Sequence, residues 1–321
     1  MSKATKIWLI IASCFLLVGL VIFGSISNII GWDVIPFSQN YQTHSAEIME
    51  DFSAISIETT TADIFFTQSR NGTCVVECYD KDDVWYSCEV RDNTLKIQHN
   101  DDREWYKRIG LNLETPKITV YLPKTQYDLL FIEEDTGDIE VPKDFAFKET
   151  DVTLTTGDIN FYATSDAVKI KTSTGDIEVE DSTVGSLDVS VTTGEVSLEK
   201  VKCAGDLGVE VTTGEVELDG VRCKNLVSNG STGSIILKNT VATEKLVVDR
   251  STGGVKFEGA DASEISVKTD TGSISGTLLS EKVFIAQSDT GRVSVPETTS
   301  GGKCKLTTDT GSIKIEISNK K

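Results

Sequence analysis

Histidine, tryptophan and basic residues are scarce in this chain, and each shortage closes off a line of function. Its 321 residues include only two histidines, His44 and His99. Both precede the repetitive part of the sequence, so a Ser-His-Asp or Cys-His arrangement within that part is excluded. No tryptophan follows Trp105, which leaves the same part poor in platforms for sugar stacking. Lys and Arg total 31 against 50 Asp and Glu, a formal net charge of -19. Nucleic-acid binding needs a basic surface and is therefore excluded as a class. The acidic balance suits an ectodomain held off an anionic envelope. The seven cysteines show no paired framework of the kind that staples small secreted domains.

What the chain does have is a repeat. A Thr-Gly pair recurs ten times, at Gly137, Gly157, Gly175, Gly194, Gly214, Gly233, Gly253, Gly272, Gly291 and Gly311, with gaps of 18 to 20 residues. Ile or Val stands two positions after each Gly, from Ile139 to Ile313. Around Gly194, Leu187, Val189 and Val191 alternate with polar residues, and Val196 and Leu198 do so on the far side. Period two on both sides of a Gly reads as strand, tight turn, strand. Val, Ile and Thr dominate, which suits a pleated surface and not a helix. One strong turn per repeat argues against a hairpin array. The pattern predicts an all-β fold, a single-stranded parallel β-helix or solenoid of about ten coils. Each strand pairs with its equivalent in the next coil, about 4.8 Å away. Gly reaches φ > 0 freely, and the missing Cβ relieves crowding between stacked corners. No helix follows the glycines, so they are structural turns and not a phosphate loop.

The N-terminal third differs. Ile7 to Phe23 is an almost unbroken apolar run, extending weakly to Ile30, long enough to span a bilayer. Lys3 and Lys6 precede it, and no Lys or Arg follows until Arg70. The positive-inside rule then places residues 1–6 in the cytoplasm, a single-pass transmembrane helix at 7–30, and the rest outside the cell. A cleaved signal peptide is the alternative. Residues 31–50 read as a stalk. Residues 51–128 read as a degenerate first coil, with Ala62 at the corner, followed by a less regular β cap. Residues 129–321 are the regular solenoid. Lys320 and Lys321, just past the last strand, would discourage edge pairing there. Trp85, Tyr86, Trp105 and Tyr106 either pack the cap or form a small binding patch.

The strand–turn–strand from Ile57 to Ile64, Leu95-Lys96-Ile97, Ile118-Thr119-Val120-Tyr121-Leu122-Pro123 and the Thr-Gly-Asp-Ile series from Thr136 onward carry a resemblance. From about Ile55 to Ile317 the chain resembles the bacterial domain-of-unknown-function family called "putative adhesin". The resemblance implies a right-handed β-helix-like solenoid on a cell-envelope protein, often in an envelope-stress context. It brings no catalytic residues. Ala62 in place of Gly departs from the pattern at the first corner only.

One column of residues could bind an ion. The position after the corner Gly is Asp138, Asp158, Asp176, Glu195 and Glu215 in five consecutive coils, then Ser234, Gly254, Ser273, Arg292 and Ser312. Stacking places the carboxylates about 5 Å apart, where two charges repel by about 1 kcal/mol even in water. A divalent cation such as Ca²⁺ would relieve this. Turn residues pointing into salt-screened water are the alternative. Asp270, Asp289 and Asp309, two before their glycines, form a second acidic column with the same ambiguity. Cys203 and Cys223 occupy one repeat position in adjacent coils, within disulfide range or packed as reduced thiols. No cofactor is required.

Polysaccharide-degrading β-helices use carboxylate pairs, but here the carboxylates follow the repeat and no coil visibly breaks the pattern. The leading expectation is a non-enzymatic envelope module for surface binding, adhesion or scaffolding, its partner an envelope protein or polysaccharide. An extracellular sensor acting through a membrane partner, and a polysaccharide-active enzyme, are the alternatives.

Overall fold

A computed structural model describes residues 12, 13, 15–21, 24, 25, 41–81, 84–100 and 115–318. Most of the expected membrane-spanning segment, the cytoplasmic stub, residues 31–40 of the expected stalk, and Trp105, Tyr106, Lys320 and Lys321 lie outside them. Residues 15–21 are helical. Among the described residues no helix is long and apolar enough to cross a membrane.

The rest is β-structure. The first seven strands are β1 (Tyr41–Ile48), β2 (Ala54–Thr61), β3 (Asp63–Gln68), β4 (Cys74–Lys81), β5 (Trp85–Arg91), β6 (Thr94–Asn100) and β7 (Lys117–Leu122). The regular part alternates long and short arms: β8 (Gln126–Thr136), β9 (Ile139–Val141), β10 (Ala146–Thr156), β11 (Ile159–Phe161), β12 (Thr164–Thr174), β13 (Ile177–Glu180), β14 (Thr183–Thr193) and β15 (Val196–Glu199). It continues through β16 (Lys202–Cys203), β17 (Asp206–Thr213), β18 (Val216–Asp219), β19 (Arg222–Thr232), β20 (Ile235–Lys238), β21 (Val241–Thr252) and β22 (Val255–Thr271). It ends with β23 (Ile274–Leu278), β24 (Lys282–Thr290), β25 (Val293–Ser294), β26 (Gly302–Thr310) and β27 (Ile313–Ile317).

Each coil gives its long arm to one parallel sheet and its short arm to a second. Thr-Gly pairs align with Thr-Gly pairs, as Thr156 does with Thr136 and Thr174. Inward residues of both arms, such as Leu187, Val189, Val191, Val196 and Leu198, are buried in one continuous core. Ten corners bound about nine full turns.

The corner explains its glycine. Gly157 has φ +134°, and a Cβ there would lie 1.9 Å from the Gly137 carbonyl oxygen. Each corner thus sits on the carbonyl of the corner beneath it, and a side chain would force the layers apart. Ala62, at the outermost of these corners, is not among the residues with positive φ. A second turn, six residues further on, is also left-handed: Asp181, Lys200, Gly220, Asn239 and Gly259 all have positive φ. It left no Gly signature because Asp, Lys and Asn occupy it as well, at some backbone strain.

Spatial order departs from sequence order at both ends. At the start, β2 pairs with β8 and β3 with β9, so the degenerate first coil stacks directly on the first regular one. The intervening excursion lies outside: β6 pairs with β2 and β7 with β3, and antiparallel β5 and β4 follow them. The expected stalk ends differently too. Tyr41–Ile48 is strand β1, antiparallel to β4, because its backbone satisfies that sheet's edge. At the other end, the last coil in sequence is not the last in space. β26 lies between β22 and β24, and β27 between β23 and β25. The strand before Lys320 and Lys321 is therefore no edge, which corrects the expectation that they guard one.

Candidate functional site: the acidic corner column

The acidic column lies on one outer corner, where backbone N–H groups point along the solenoid axis. The Asp138 N–H donates to Asp63 Oδ1 at 3.1 Å, Asp158 N–H to Asp138 Oδ1 at 3.0 Å, Asp176 N–H to Asp158 Oδ1 at 2.8 Å, and Glu195 N–H to Asp176 Oδ1 at 2.7 Å. Each aspartate thus reaches one layer over and accepts a bond that the tight corner denies to a backbone carbonyl. Charge-assisted bonds of this kind are about twice as strong as neutral ones, which offsets the repulsion between stacked carboxylates. Burial raises the pKa of Asp63, at the first rung, and the Asp138 N–H bond opposes the rise.

The change from acid to Ser further along preserves this bond. The Gly254 N–H donates to Ser234 Oγ, and the Ser312 N–H to Ser273 Oγ, both at 3.3 Å. The second pair joins Gly272's coil to Gly311's, in spatial order. Between the two series stand Glu195 and Glu215, one methylene longer than Asp. What unites Asp and Ser here is a short side chain with an acceptor oxygen. Among the described residues no group of three or more His, Cys, Asp or Glu is arranged to hold a metal. In the second acidic column, Asp270 pairs with Lys268 at 2.9 Å.

The six described cysteines are free thiols. Cys203 and Cys223 are buried in adjacent coils but not joined. The Cys203 thiol instead donates to the carbonyls of Asp206 and Gly185, at 3.3 and 3.6 Å. Burial pushes Cys223 up to about 12. Cys304 is core, in register with Ile265. In the cap, Cys74 and Cys78 are buried, and Cys78 and Cys88 share a hydrogen bond that holds the Cys78 proton and lowers Cys88.

At one station of the coil two buried ionisable groups break the pattern that the sequence had suggested was unbroken. Both occupy the inward station three before a corner Gly, where Val191 and Val211 also stand. Glu134 is 2% exposed. Its Oε1 accepts the Ala62 N–H at 2.7 Å, its Oε2 has no partner, and burial pushes its pKa up to about 9. Arg250 is fully buried. Its Nη2 donates to Ser228 Oγ at 3.0 Å and its Nη1 to the Val211 carbonyl at 3.3 Å, while Nε has no partner. The guanidinium occupies the room left by Gly230, where a Cβ would lie 1.8 Å from Nη1. The signal was present: aligning that single station shows Glu, Gly and Arg in an otherwise apolar or hydroxyl column. Neither group reaches solvent, so both belong to the core and not to a binding surface.

Stacked two-sheet coils with an outer ladder of side-chain acceptors define the molecule as a parallel β-solenoid. The chain belongs to the Toastrack DUF4097 family, whose model matches residues 52–218 and 200–321. It is similar in fold to a "putative lipid binding protein" from Parabacteroides distasonis, at 18% identity and TM-score 0.50, covering 75% of this chain and 97% of that one. A "putative adhesin" from Bacteroides fragilis is 20% identical, with TM-score 0.44, covering 88% of this chain and 99% of that one. Another so named, from Parabacteroides merdae, is 12% identical, with TM-score 0.45, covering 86% and 96%. No curated protein matches the chain.

Proposed function

We propose that this chain is an adhesin-like, non-catalytic module of the bacterial cell envelope, a rod that binds through its surface. Its N-terminal apolar segment serves as a single-pass anchor, with the N-terminus in the cytoplasm and the solenoid outside. Its partner is an envelope protein or polysaccharide. The observation that carries the reading is the continuous stack of coils from Ala62 to Gly291. By strand spacing it makes a rod roughly 50 Å long, stiffened on its outer corner by the carboxylate and hydroxyl ladder. Such a body holds a binding surface at a fixed distance from its base. The ionisable groups at the station three before the corner, Glu134 and Arg250, are sealed in the core, away from any substrate.

The test is attachment. Cells displaying the full chain are compared with cells lacking it, on a panel of other cells, purified envelope polysaccharides and protein-coated surfaces. Display is expected to raise attachment to at least one of them. Equal attachment throughout, or release of new reducing ends from a polysaccharide, would sink the proposal.

A further inference from the structure

The coil that ends the solenoid in space, β24 and β25, differs from all others in what it leaves open. Among the described residues β24 pairs only with β26, and β25 only with β27, so both sheets end there on a parallel edge with no further described strand. Its inward residues lie over the end of the core. Phe284 and Ala286 are in register with buried Cys304 and Leu306 yet are only half-buried. Val293, in register with fully buried Ile313, is 40% exposed.

Its outward residues are also out of character. Val283 and Ile285 are 39% and 51% exposed, and stand where the next coil carries Lys303 and Lys305. Residues 282–302 hold Lys282 and Arg292 against Asp289 and Glu297, hence no net charge, on a chain of net charge -19. Soluble proteins normally block such edges with charge, bulges or a cap.

We propose that this end is a docking surface for a second copy of the chain, joined tip to tip about a two-fold axis normal to the two sheets. That axis reverses strand direction and returns each sheet to itself. β24 then pairs antiparallel with β24 of the second copy. With Phe284 on the axis, Val283 of each copy lies opposite Ile285 of the other, a favourable cross-strand pair. The second copy thereby satisfies the long open edge and lies over the core end. Elsewhere the acidic surfaces repel one another, so the neutral tip is where two copies can approach. An isologous contact of this kind closes on itself and stops at the dimer. The inference does not depend on adhesion: the attachment assay could fail while the dimer persists.

Sedimentation of the full chain in neutral detergent, across a concentration series, tests it. The expected result is a monomer–dimer equilibrium. The double variant Val283→Lys with Ile285→Lys copies the residues of the adjacent coil, so it is expected to fold. It should weaken dimerisation about tenfold or more, the equivalent of about 1.4 kcal/mol. Trp85→Lys, at the opposite end, should leave the equilibrium unchanged. A monomer at every concentration would overturn the proposal. So would a dimer indifferent to the double variant, or growth into open-ended filaments.

Discussion

The two ends of the solenoid both abandon sequence order, and they do so in opposite directions. At the N-terminal end an excursion is laid outside the first coil, and antiparallel strands finish both sheets. There β1 and β5 approach each other, and β5 carries an exposed Glu89–Arg91 ion pair at 2.9 Å. At the C-terminal end the last coil is laid inside its predecessor, and that predecessor is left as a bare, apolar, parallel edge. The same stacking geometry therefore yields one blunted end and one adhesive end. The difference lies in where the chain places its final layer, and not in the repeat itself.

The sharpest way to break this comparison is to remove that layer. A chain stopped after Gly301 loses Cys304, Leu306, Ile313 and Ile315 from the core. At about 1.5 kcal/mol or more for each buried side chain, the loss is on the order of 6 kcal/mol. Denaturant unfolding should show it, with early proteolysis between Leu278 and Gly301. Unchanged stability would mean that β26 and β27 are not interior.

The corners separate the middle from the end. Gly214→Ala places a Cβ 1.7 Å from the Gly194 carbonyl oxygen at φ +143°, and should cost about 3 kcal/mol or more. Ala62→Gly, at the outermost of these corners and free of positive φ, should cost only about 0.5–1 kcal/mol through chain entropy. Equal costs would remove the distinction.

Within the core, Arg250→Met replaces a charge without a carboxylate partner by an apolar chain that can fill the room above Gly230. A gain of about 1–3 kcal/mol is expected, read from the midpoint of denaturant unfolding. A loss would show that the guanidinium's two bonds outweigh its desolvation.

Glu134, beside the first corner, is probed through pH. Its pKa is raised in the folded chain, from an ordinary 4.5 to about 9. The stability tied to its bound proton is complete below about pH 4.5, declines as pH rises, and is gone above about pH 9. The slope is at most about 1.4 kcal/mol per pH unit. Glu134→Gln should flatten the pH dependence of unfolding between those limits and be the more stable form at pH 8. Parallel pH profiles would show that the carboxyl is solvated.

Much of the architecture was legible because it repeats. The Thr-Gly corners, the two flanking strands and the crowding that requires glycine all follow from spacing and sterics. The inverted order of Gly291 and Gly311 was not legible. Both coils carry the same motif, and a parallel strand pairs equally well with any neighbour of matching length. The second turn was hidden because a left-handed position tolerates Asp181 and Asn239 as well as Gly220. Glu134 and Arg250 were hidden by reading coils as wholes and not station by station. The acidic column was visible as a pattern, but its hydrogen bonds to the next layer depend on a corner geometry that only coordinates supply.

The interior position of β26 and β27 also bears on how the molecule is made. These strands follow both of their neighbours in the sequence, so the strands on either side of them are synthesised first. Most layers can be added as they emerge, each on the one before. The final layer must instead enter a gap one strand wide between two earlier ones. Until it arrives, β22 and β23 face β24 and β25 across an unfilled slot, with both walls of that slot open. A chain interrupted before β26 lacks the layer that joins β22 and β23 to β24 and β25.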